Sequence, residues 1–589
     1  MEEPTQSHSR EVDGIKQLAK AASLRLRPLK TGENRTEPGP AVKFTPADDE
    51  PTSPVTPVGQ AFSQPDMNVV ILCVVGLAEK PGLQHMQEFL RGTLVKHRRF
   101  HSIMKPGGRF RAPEWCPVEV DLSRHVFEAP SEVGLADPSV DPAEHYTAKL
   151  ATTHPLDPRY PLWQAHLLTH PPGARRPASL VLRIHHSLGD GTSLIALLIA
   201  ATRQSGDARA LPSIPGANPR PAAQKSDAPL VMRLLRALLR FLIIFWNSLV
   251  LIWRFVAMTA VVRDSETPVK ARDGMQHCEK VLASSCEVAL ADVKAVARAV
   301  GGGATANDVL VACLGGGLNR YFKARETNDD PADVTADVDG LAARAQALSD
   351  RLASRLPSEA LPTDSGEPDG ELPSSSYSPS KQGDEKPAEE GGGETRKRWY
   401  VPKRLRVRAL ALVNIRKSPG VQELDAMMRG GSQARWGNEM GYVMLPLPVD
   451  QVRDPLVRVR MVRRETAMAK NSIEAWFTAW NGVQILNSFG PSAAVFATKR
   501  TIVQTSISLS NVVGPAEPVT LAGVPVTTLT PTVVGTSQGL IVHFVSYRGK
   551  VKFIACSIKE VVPDPEVLCQ FCVDALEEML ERISFKKLA

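Results

Sequence analysis

Apolar positions in this 589-residue chain group into short runs of branched residues and longer runs with helical spacing. Short runs bounded by turn-forming residues predict strands, and longer periodic runs predict helices. The predicted strands cover residues 69–75, 180–184, 407–413, 443–449, 502–509, 539–547 and 551–557. The predicted helices cover residues 83–97, 192–200, 304–321, 455–473 and 565–583. This mixture predicts an α/β (α+β mixed) fold.

Polar stretches separate the globular parts of the chain. Residues 1–48 are rich in Lys, Arg, Pro and Glu, and residues 327–396 are rich in Asp, Glu, Ser, Pro and Gly. Such segments bury too little apolar surface to offset their ordering entropy, which predicts a disordered N-terminal arm and a disordered insert. The insert is either an inert surface insertion or a phosphorylation-controlled segment. Residues 205–229 form a Pro-rich linker.

The most apolar stretch, residues 230–262, approaches the ~20 residues that cross a bilayer. A polar stripe along it consists of Arg233, Arg236, Arg240, Asn247 and Arg254. At ~100° per residue these positions cover an arc of roughly 60° on a helix that is otherwise apolar.

This pattern is typical of an interfacial anchor whose arginines meet lipid headgroups, with Trp246 and Trp253 at the boundary. We therefore predict attachment to one face of a membrane. A re-entrant or spanning helix and a helix packed on the protein's own surface are the alternatives.

The composition of the chain limits the classes of partner that it is expected to bind. The net charge of +7 and the aromatic content of 5%, with no basic run interleaved with aromatics, predict no nucleic-acid partner. The charge suits an anionic partner such as a membrane surface. The eight cysteines indicate no disulfide framework. Cys569 and Cys572 form a CxxC without a second pair, so we predict no metal site.

A specific chemistry is indicated by the seven residues from His185 to Gly191, which read HHSLGDG and lie between a predicted strand and a predicted helix. A histidine at a strand end can act as a general base, because its ordinary pKa of about 6.5 is near neutral pH. Gly191 allows a sharp turn, and Asp190 or Thr192 can cap the helix.

The HHSLGDG segment resembles the HHxxxDG signature of the CoA-dependent acyltransferase superfamily. Further segments resemble motifs of wax ester synthase/diacylglycerol acyltransferases. They are Pro155-Leu156-Asp157 with Pro161-Leu162-Trp163, Asn307-Asp308, Val413-Asn414-Ile415-Arg416, Trp436-Gly437-Asn438 with Gly441-Tyr442, and Ser510-Asn511-Val512-Val513-Gly514-Pro515. The resemblance runs from about residue 50 to the C-terminus. The valine at position 513 departs from the family's frequent proline.

This resemblance implies two chloramphenicol-acetyltransferase-like lobes, each a mixed sheet covered by helices, with the active-site tunnel between them. The N-terminal lobe is expected at residues 49–204 and the C-terminal lobe at 263–326 and 397–589. The expected activity is transfer of a long-chain acyl group from acyl-CoA to a fatty alcohol, with diacylglycerol as a further acceptor. Other acceptors, such as a sterol, short alcohol or amine, and a non-catalytic membrane protein of the same fold are the alternatives.

The resemblance also assigns roles. It implies that His186 is the general base, that Asp190 holds the loop by pairing with an unidentified buried arginine, and that no acyl-enzyme forms. His185 is expected to support the base or to pack within the loop, and Gly191 to make the turn. The residues expected to line the tunnel or the lobe interface are Pro161, Leu162, Trp163, Asn307, Asp308, Ser510, Asn511 and Gly514.

No cofactor is expected, since acyl-CoA is a substrate. We expect the enzyme at the endoplasmic reticulum membrane with its active site facing the cytosol, with the plasma membrane or lipid droplets as alternatives. The sequence leaves the oligomeric state, the chain-length preference and the oxyanion donor open.

Overall fold

The computed structural model describes residues 52–107, 112–130, 140–153, 155–214, 230–327, 405–416, 420–429, 436–450, 452 and 454–588. The predicted arm at 1–48 lies outside these residues, as does the predicted insert after residue 327. Residues 215–229 of the predicted linker lie outside them as well.

The strands, in chain order, are β1 (Ser53–Pro54), β2 (Val70–Leu77), β3 (Ser102–Lys105), β4 (Glu114–Pro117), β5 (Val126–Glu128), β6 (Trp163–Thr169), β7 (Ala178–His185), β8 (Arg203–Gln204), β9 (Lys280–Ser284), β10 (Val288–Ala289), β11 (Arg408–Asn414), β12 (Met440–Pro446), β13 (Ile507–Val513), β14 (Val519–Leu521), β15 (Val524–Val534), β16 (Leu540–Tyr547) and β17 (Lys550–Ile558).

The helices, in chain order, are α1 (Pro57–Phe62), α2 (Leu83–Gly92), α3 (Pro142–Ala151), α4 (Gly191–Ala201), α5 (Leu230–Ala260), α6 (Leu290–Val300), α7 (Ala306–Thr327), α8 (Val421–Met428), α9 (Pro455–Lys470), α10 (Glu474–Phe489), α11 (Pro491–Gln504) and α12 (Pro565–Leu588).

Two large mixed sheets organise the described residues. The first has the order β5-β6-β7-β2-β15-β14-β8, and the second has the order β10-β17-β16-β13-β11-β12 with β9 also pairing with β17. Every residue of β2 and β7 is buried. This explains why β2 reads as a continuous apolar run rather than as an alternating one. The predicted mixed α/β architecture with two lobes is confirmed.

The chain crosses between the two lobes. β14 and β15 follow β13 of the second sheet but belong to the first, where β15 runs antiparallel to β2 from Val526 opposite Leu77 to Val534 opposite Val70. From the sequence, all of residues 397–589 were expected in the C-terminal lobe. The structure corrects this, because β14 and β15 belong to the sheet of the first lobe. These strands supply the hydrogen-bonding partner that buried β2 needs on its second edge.

Helices α10 and α11 were not predicted, and the predicted strand at 502–509 begins only at Ile507 because α11 continues to Gln504. Both helices have apolar residues on more than one face. In α11, Val495 and Ile502 are buried while Phe496 is exposed, so no single apolar stripe marks the helix. The proline at the first position of α11 is compatible with a helix start.

Helix α5, which contains the predicted anchor, changes its environment halfway along. Ser248, Leu251, Phe255 and Met258 are buried against the protein at helical spacing. Residues 231–242 are exposed on all sides. By length and composition, α5 is the one helix in the described part of the chain that is long and apolar enough to cross a membrane.

The polar stripe of α5 lies on the side that faces the protein. Arg254 forms an ion pair with Glu465 at 3.0 Å, and the Asn247 amide donates to the Asn471 carbonyl at 3.2 Å. Arg254 therefore binds the second lobe, in contrast to the predicted headgroup contact. Arg233, Arg236 and Arg240 lie farther along the same stripe, on the half of α5 that leaves the protein body.

Candidate active site

The HHSLGDG segment forms a buried turn between a central strand and a helix. β7 ends at His185, and α4 begins at Gly191. The His186 N–H donates to the Val69 carbonyl at 2.9 Å, which extends the pairing with the chain before β2. Every residue from His185 to Asp190 is buried. The polar side chains of the turn therefore need partners inside the protein.

Asp190 is the residue that holds this turn. Its Oδ1 accepts hydrogen bonds from the Ser193 N–H and hydroxyl, both at 2.8 Å, and from the Thr192 hydroxyl at 2.7 Å. This is the side-chain cap of α4. Its Oδ2 accepts from Nη2 of Arg416 at 2.8 Å. Arg416 is thus the arginine that the sequence left unidentified, and its side chain is 10% exposed.

A tryptophan from the second half of the chain covers the turn. Nε1 of Trp436 donates to the Leu188 carbonyl at 2.6 Å. A Cβ added at Gly189 would lie 2.8 Å from the Trp436 ring. Only glycine therefore permits this contact at position 189.

Two asparagines complete the contact between the halves. The Asn438 amide donates to the His186 carbonyl, and the Asn414 amide donates to the Thr192 hydroxyl at 2.7 Å. Each end of the turn is thus bound by a side chain from the second half.

His186 lies on the wall of a cavity between the lobes. Its ring packs edge-on against Phe62, with 4.9 Å between the ring centroids. Burial lowers the pKa of His186 below its ordinary value, while the Asp190 carboxylate and the Asn438 side chain oppose this shift. The side chain is therefore a neutral imidazole near pH 7, the form that can accept a proton.

His185 has a different environment. The Ser187 hydroxyl and N–H both lie within hydrogen-bonding distance of its Nδ1, at 2.7 and 3.2 Å. Burial lowers the pKa of His185 to about 3. Its contacts are those of a side chain that packs within the loop.

The cavity has a volume of about 1010 Å³ and a mainly apolar lining. This size is at the upper end of the ≈ 300–1,000 Å³ common for ligand sites. Its apolar residues include Phe62, Ile195, Leu410, Val483, Leu486 and Ile502, and its polar residues include Ser508, Ser510, Asn511, Thr536 and His543. The space therefore suits a molecule with long hydrocarbon parts and few polar groups.

The residues predicted for the tunnel or lobe interface differ in where the structure places them. Ser510 and Asn511 line the cavity, and the Asn511 amide donates to Oδ1 of Asn307 at 3.1 Å. Asp308 is buried behind them and accepts from the Thr466 hydroxyl at 2.6 Å, which joins α7 to α9.

Gly514 also lies apart from the cavity lining. It follows β13, and its N–H donates to the Ser546 carbonyl at 2.8 Å. A Cβ added at Gly514 would lie 2.5 Å from that carbonyl oxygen. The glycine therefore allows the chain to pass close to β16.

Pro161, Leu162 and Trp163 are also core residues rather than cavity residues. All three are buried, and Trp163 is fully buried within the first lobe. Its indole N–H donates to the Phe100 carbonyl at 2.8 Å, and its ring stacks on His125. The segment begins β6 and stabilises the first lobe, in contrast to the predicted tunnel position.

Cys569 and Cys572 lie on α12, and burial raises the pKa of both thiols. Within the described ranges, no group of three or more His, Cys, Asp or Glu side chains could hold a metal ion.

Some residues of the site belong to motifs that were recognised in the sequence, but the sequence did not indicate what these residues do. Arg416, Trp436 and Asn438 all fall within motifs that the sequence identified, but spacing along the chain did not indicate that they bind one turn. His543 had no signal beyond a histidine within a predicted strand.

Two family models match the chain. The wax ester synthase/diacylglycerol acyltransferase catalytic domain matches residues 66–310, and the WS/DGAT C-terminal domain matches residues 436–580.

Curated relatives extend this similarity over most of the chain. Wax ester synthase/diacylglycerol acyltransferase 11 of Arabidopsis thaliana is 30% identical over 526 residues, covering 89% of this chain and 94% of that protein. Wax ester synthase/diacylglycerol acyltransferase 5 from the same plant is 29% identical, covering 91% and 94%. A solved wax ester synthase/diacylglycerol acyltransferase from Marinobacter aquaeolei VT8 has a TM-score of 0.46 and 15% identity, covering 90% and 98%.

Removing the arginine of the buried ion pair should destabilise the protein. We expect Arg416→Met to lower the free energy of unfolding by about 3–5 kcal/mol, because it leaves the Asp190 carboxylate buried without its counter-ion. Chemical denaturation monitored by fluorescence would measure this change.

The control is Arg159→Met, which breaks a pair whose arginine is 76% exposed and should therefore change the free energy of unfolding far less than Arg416→Met does. Asp190→Asn with Arg416→Met should cost less than the sum of the two single substitutions. Equal losses for Arg416→Met and Arg159→Met would contradict the role of the pair.

Proposed function

Because the chain belongs to the wax ester synthase/diacylglycerol acyltransferase family, we propose that it transfers a long-chain acyl group from acyl-CoA to a fatty alcohol, and also to diacylglycerol. The chain is an acyl-CoA-dependent O-acyltransferase. The observation that carries the finer proposal is the neutral His186 imidazole on the wall of a large apolar cavity.

The proposed reaction needs one proton acceptor and no covalent enzyme intermediate. His186 accepts the proton of the acceptor hydroxyl, and the oxygen forms a bond to the thioester carbonyl carbon. When the tetrahedral intermediate collapses, the carbon–sulfur bond breaks. The protonated histidine then returns the proton to the CoA thiolate, so the products are an ester and free CoA.

Positioning of His186 is the task proposed for the surrounding residues. Asn438 binds the His186 backbone, and the ion pair of Asp190 with Arg416 fixes the end of the turn. A base held within a rigid turn loses little freedom when the substrate binds, which supports an in-line attack.

We further propose that the enzyme docks on a membrane through α5 and the neighbouring α10 and α11. Their outer surfaces, with Ile473 just before α10, carry large exposed side chains: Leu249, Trp253, Val256, Ile473, Trp476, Trp480, Phe489 and Phe496. Exposed apolar patches of this kind mark interaction sites, and tryptophan is enriched at membrane interfaces.

The charges of the same three helices favour a lipid surface. Their basic residues are Arg233, Arg236 and Arg240 of α5, Lys499 and Arg500, besides Arg254, which is paired with Glu465, and their one acidic residue, Glu474, is buried. Basic residues beside an apolar face suit anionic headgroups above hydrocarbon. Since α10 and α11 also line the cavity, a docked enzyme would hold the cavity wall against its lipid substrates.

Replacement of the proposed base should abolish most activity without unfolding the protein. We expect His186→Ala to lower kcat for transfer from palmitoyl-CoA to hexadecanol by about 10²–10⁴-fold, because general-base assistance has this size. Chromatography of the lipid products would measure it, with dioleoylglycerol and a sterol as further acceptors. Full activity of a folded His186→Ala protein would contradict the assignment, and a product formed only with the sterol would identify a different acceptor.

The pH dependence of the rate should reflect the lowered pKa of His186. Because burial lowers the pKa of His186 below 6.5, we expect the acid limb of kcat/KM to be centred below pH 6.5, where the imidazole becomes protonated. Initial rates with palmitoyl-CoA and hexadecanol would give this profile. A thermal-unfolding scan at each pH separates protonation of the base from loss of the fold, and an acid limb centred above pH 6.5 would contradict the shift.

Membrane docking should depend on the outer surfaces of α5 and α10. We expect Leu235→Glu with Leu242→Glu to weaken binding to phosphatidylcholine–phosphatidylserine vesicles by at least about 100-fold, since two apolar side chains worth about 1.5–3 kcal/mol each can no longer enter lipid. Trp476→Ser with Trp480→Ser should weaken it by about tenfold or more.

Vesicle co-sedimentation measures both effects, and Val140→Glu, on an exposed site outside these helices, serves as the control. These substitutions are preferable to deletion of α5, whose Phe255 and Met258 are part of the core. Unchanged vesicle binding in both double variants would contradict the proposed surface.

A further inference from the structure

His543 is a buried histidine on the cavity wall that the proposed reaction does not use. It lies on β16, where it pairs in register with Ser510 of β13, and both residues line the cavity. The residue is 3% exposed. Neither of its ring nitrogens has a hydrogen-bond partner within the described structure. Since buried polar groups are normally paired, the position suits a group supplied by a ligand.

A second polar group faces the same space. The Thr536 hydroxyl, in the connection between β15 and β16, is buried without a partner among the described residues, and Thr536 also lines the cavity. By contrast, the neighbouring Ser508 hydroxyl donates to Gln538 at 3.0 Å. The cavity wall therefore contains two unsatisfied polar side chains next to one that is satisfied by the protein.

The protonation state of His543 limits what it can bind. Burial lowers the pKa of His543 to about 4, so the ring is neutral at physiological pH. A neutral imidazole offers one N–H donor and one acceptor nitrogen. With the Thr536 hydroxyl as a second donor, the pair suits an oxygen that accepts hydrogen bonds, such as a carbonyl oxygen.

An apolar side pocket begins at His543. This second cavity, of about 70 Å³, shares six lining residues with the main cavity: Gly191, Ile195, Ser510, Val512, Val533 and His543. Beyond them its lining is mainly apolar and also contains Thr532; the apolar residues from the first lobe include Ile71, Leu94, Phe100, Leu182, Leu197 and Leu198. A pocket of this volume is too small for a long acyl chain, so the hydrocarbon part of an acyl group bound at His543 would lie in the main cavity, which His543 also lines.

We propose that His543, with Thr536, binds the acyl carbonyl oxygen of a substrate whose hydrocarbon chain lies in the main cavity. This inference rests on the proposed function. Two sources present the same chemistry, the thioester of the acyl-CoA donor and the ester of an acylglycerol acceptor. A fatty alcohol has a hydroxyl and no carbonyl, so the choice of acceptor distinguishes the two sources.

The test is His543→Leu, which replaces the imidazole by an apolar side chain. We expect kcat/KM to fall by about tenfold, the effect of one lost hydrogen bond to the substrate, while the unfolding temperature stays the same or rises because an unpaired polar group is removed. A decrease with both hexadecanol and dioleoylglycerol assigns the site to the donor thioester. A decrease with dioleoylglycerol alone assigns it to the acceptor ester.

Two further measurements sharpen the assignment. A dialkylglycerol keeps the hydroxyl and both chains but lacks ester carbonyls, so an acceptor site predicts that His543→Leu does not slow its acylation. Hexadecyl-CoA, a thioether, lacks the donor carbonyl, so a donor site predicts that the native protein binds it more weakly than palmitoyl-CoA and that His543→Leu removes the difference. His543→Gln, which keeps an N–H donor, should restore part of the activity.

His170→Leu is the matched control. His170 is also buried with both ring nitrogens unpaired, but it lies at the end of β6, outside the lining of both cavities, so its replacement should leave transfer unchanged. Unchanged kcat/KM of His543→Leu with both acceptors would overturn the inference, as would a large loss of thermal stability that accounts for the lower activity.

Failure of the proposed function gives a different result. A native protein that forms no ester from palmitoyl-CoA with any acceptor contradicts that function. The proposed carbonyl site is then tested by measuring the affinity for each substrate, without catalysis. Equal affinities of native and His543→Leu proteins for palmitoyl-CoA and for dioleoylglycerol would overturn it.

Discussion

The buried ion pair between Asp190 and Arg416 is the contact on which the geometry of the site depends. Asp190 caps the helix that follows the proposed base, and Arg416 comes from the chain that leaves β11 in the second lobe. Two charges removed from water at this depth are stable only together, because either one alone would remain unpaired. The orientation of the His186 turn is therefore tied to the correct docking of the lobes.

The contacts around this pair give the turn a single arrangement. Trp436 binds the Leu188 carbonyl, and Asn438 binds the His186 carbonyl, so the second half contacts the turn on both sides of Gly189. The cavity is then bounded by one rigid wall carrying His186 and by a second wall built from β13, β16, α10 and α11. One side of this second wall faces the cavity, while α10 and α11 expose aromatic residues on their other side.

Much of this arrangement could be predicted from the chain itself, but only where local patterns determine it. The strand, turn and helix around His186 follow from an apolar run, a glycine-rich turn and a capping residue, and they lie where predicted.

The partner of Asp190 could not be predicted, because Arg416 is more than 200 positions away and pairing at that distance depends on tertiary packing. The Pro161-Leu162-Trp163 segment was predicted at the tunnel because it belongs to a motif, and motif residues suggest a functional site. A motif residue can equally be one that core packing requires, as the fully buried Trp163 is. Helices α10 and α11 were not predicted because each has one apolar face toward the cavity and another that is exposed, so neither shows a single apolar stripe.

The return of the chain into the first sheet has a consequence for biosynthesis. The inner edge of β2 pairs with β15, whose residues leave the ribosome about 450 positions after those of β2. At about 5–20 residues per second, this strand remains an unpaired edge for roughly 20–90 s. Its sequence, VILCVVGL, has no charged residue to discourage pairing with other nascent chains. The first lobe thus cannot complete its sheet until the distant C-terminal strands emerge, and the region matched by the catalytic family model, residues 66–310, lacks two strands of its own sheet, β14 and β15.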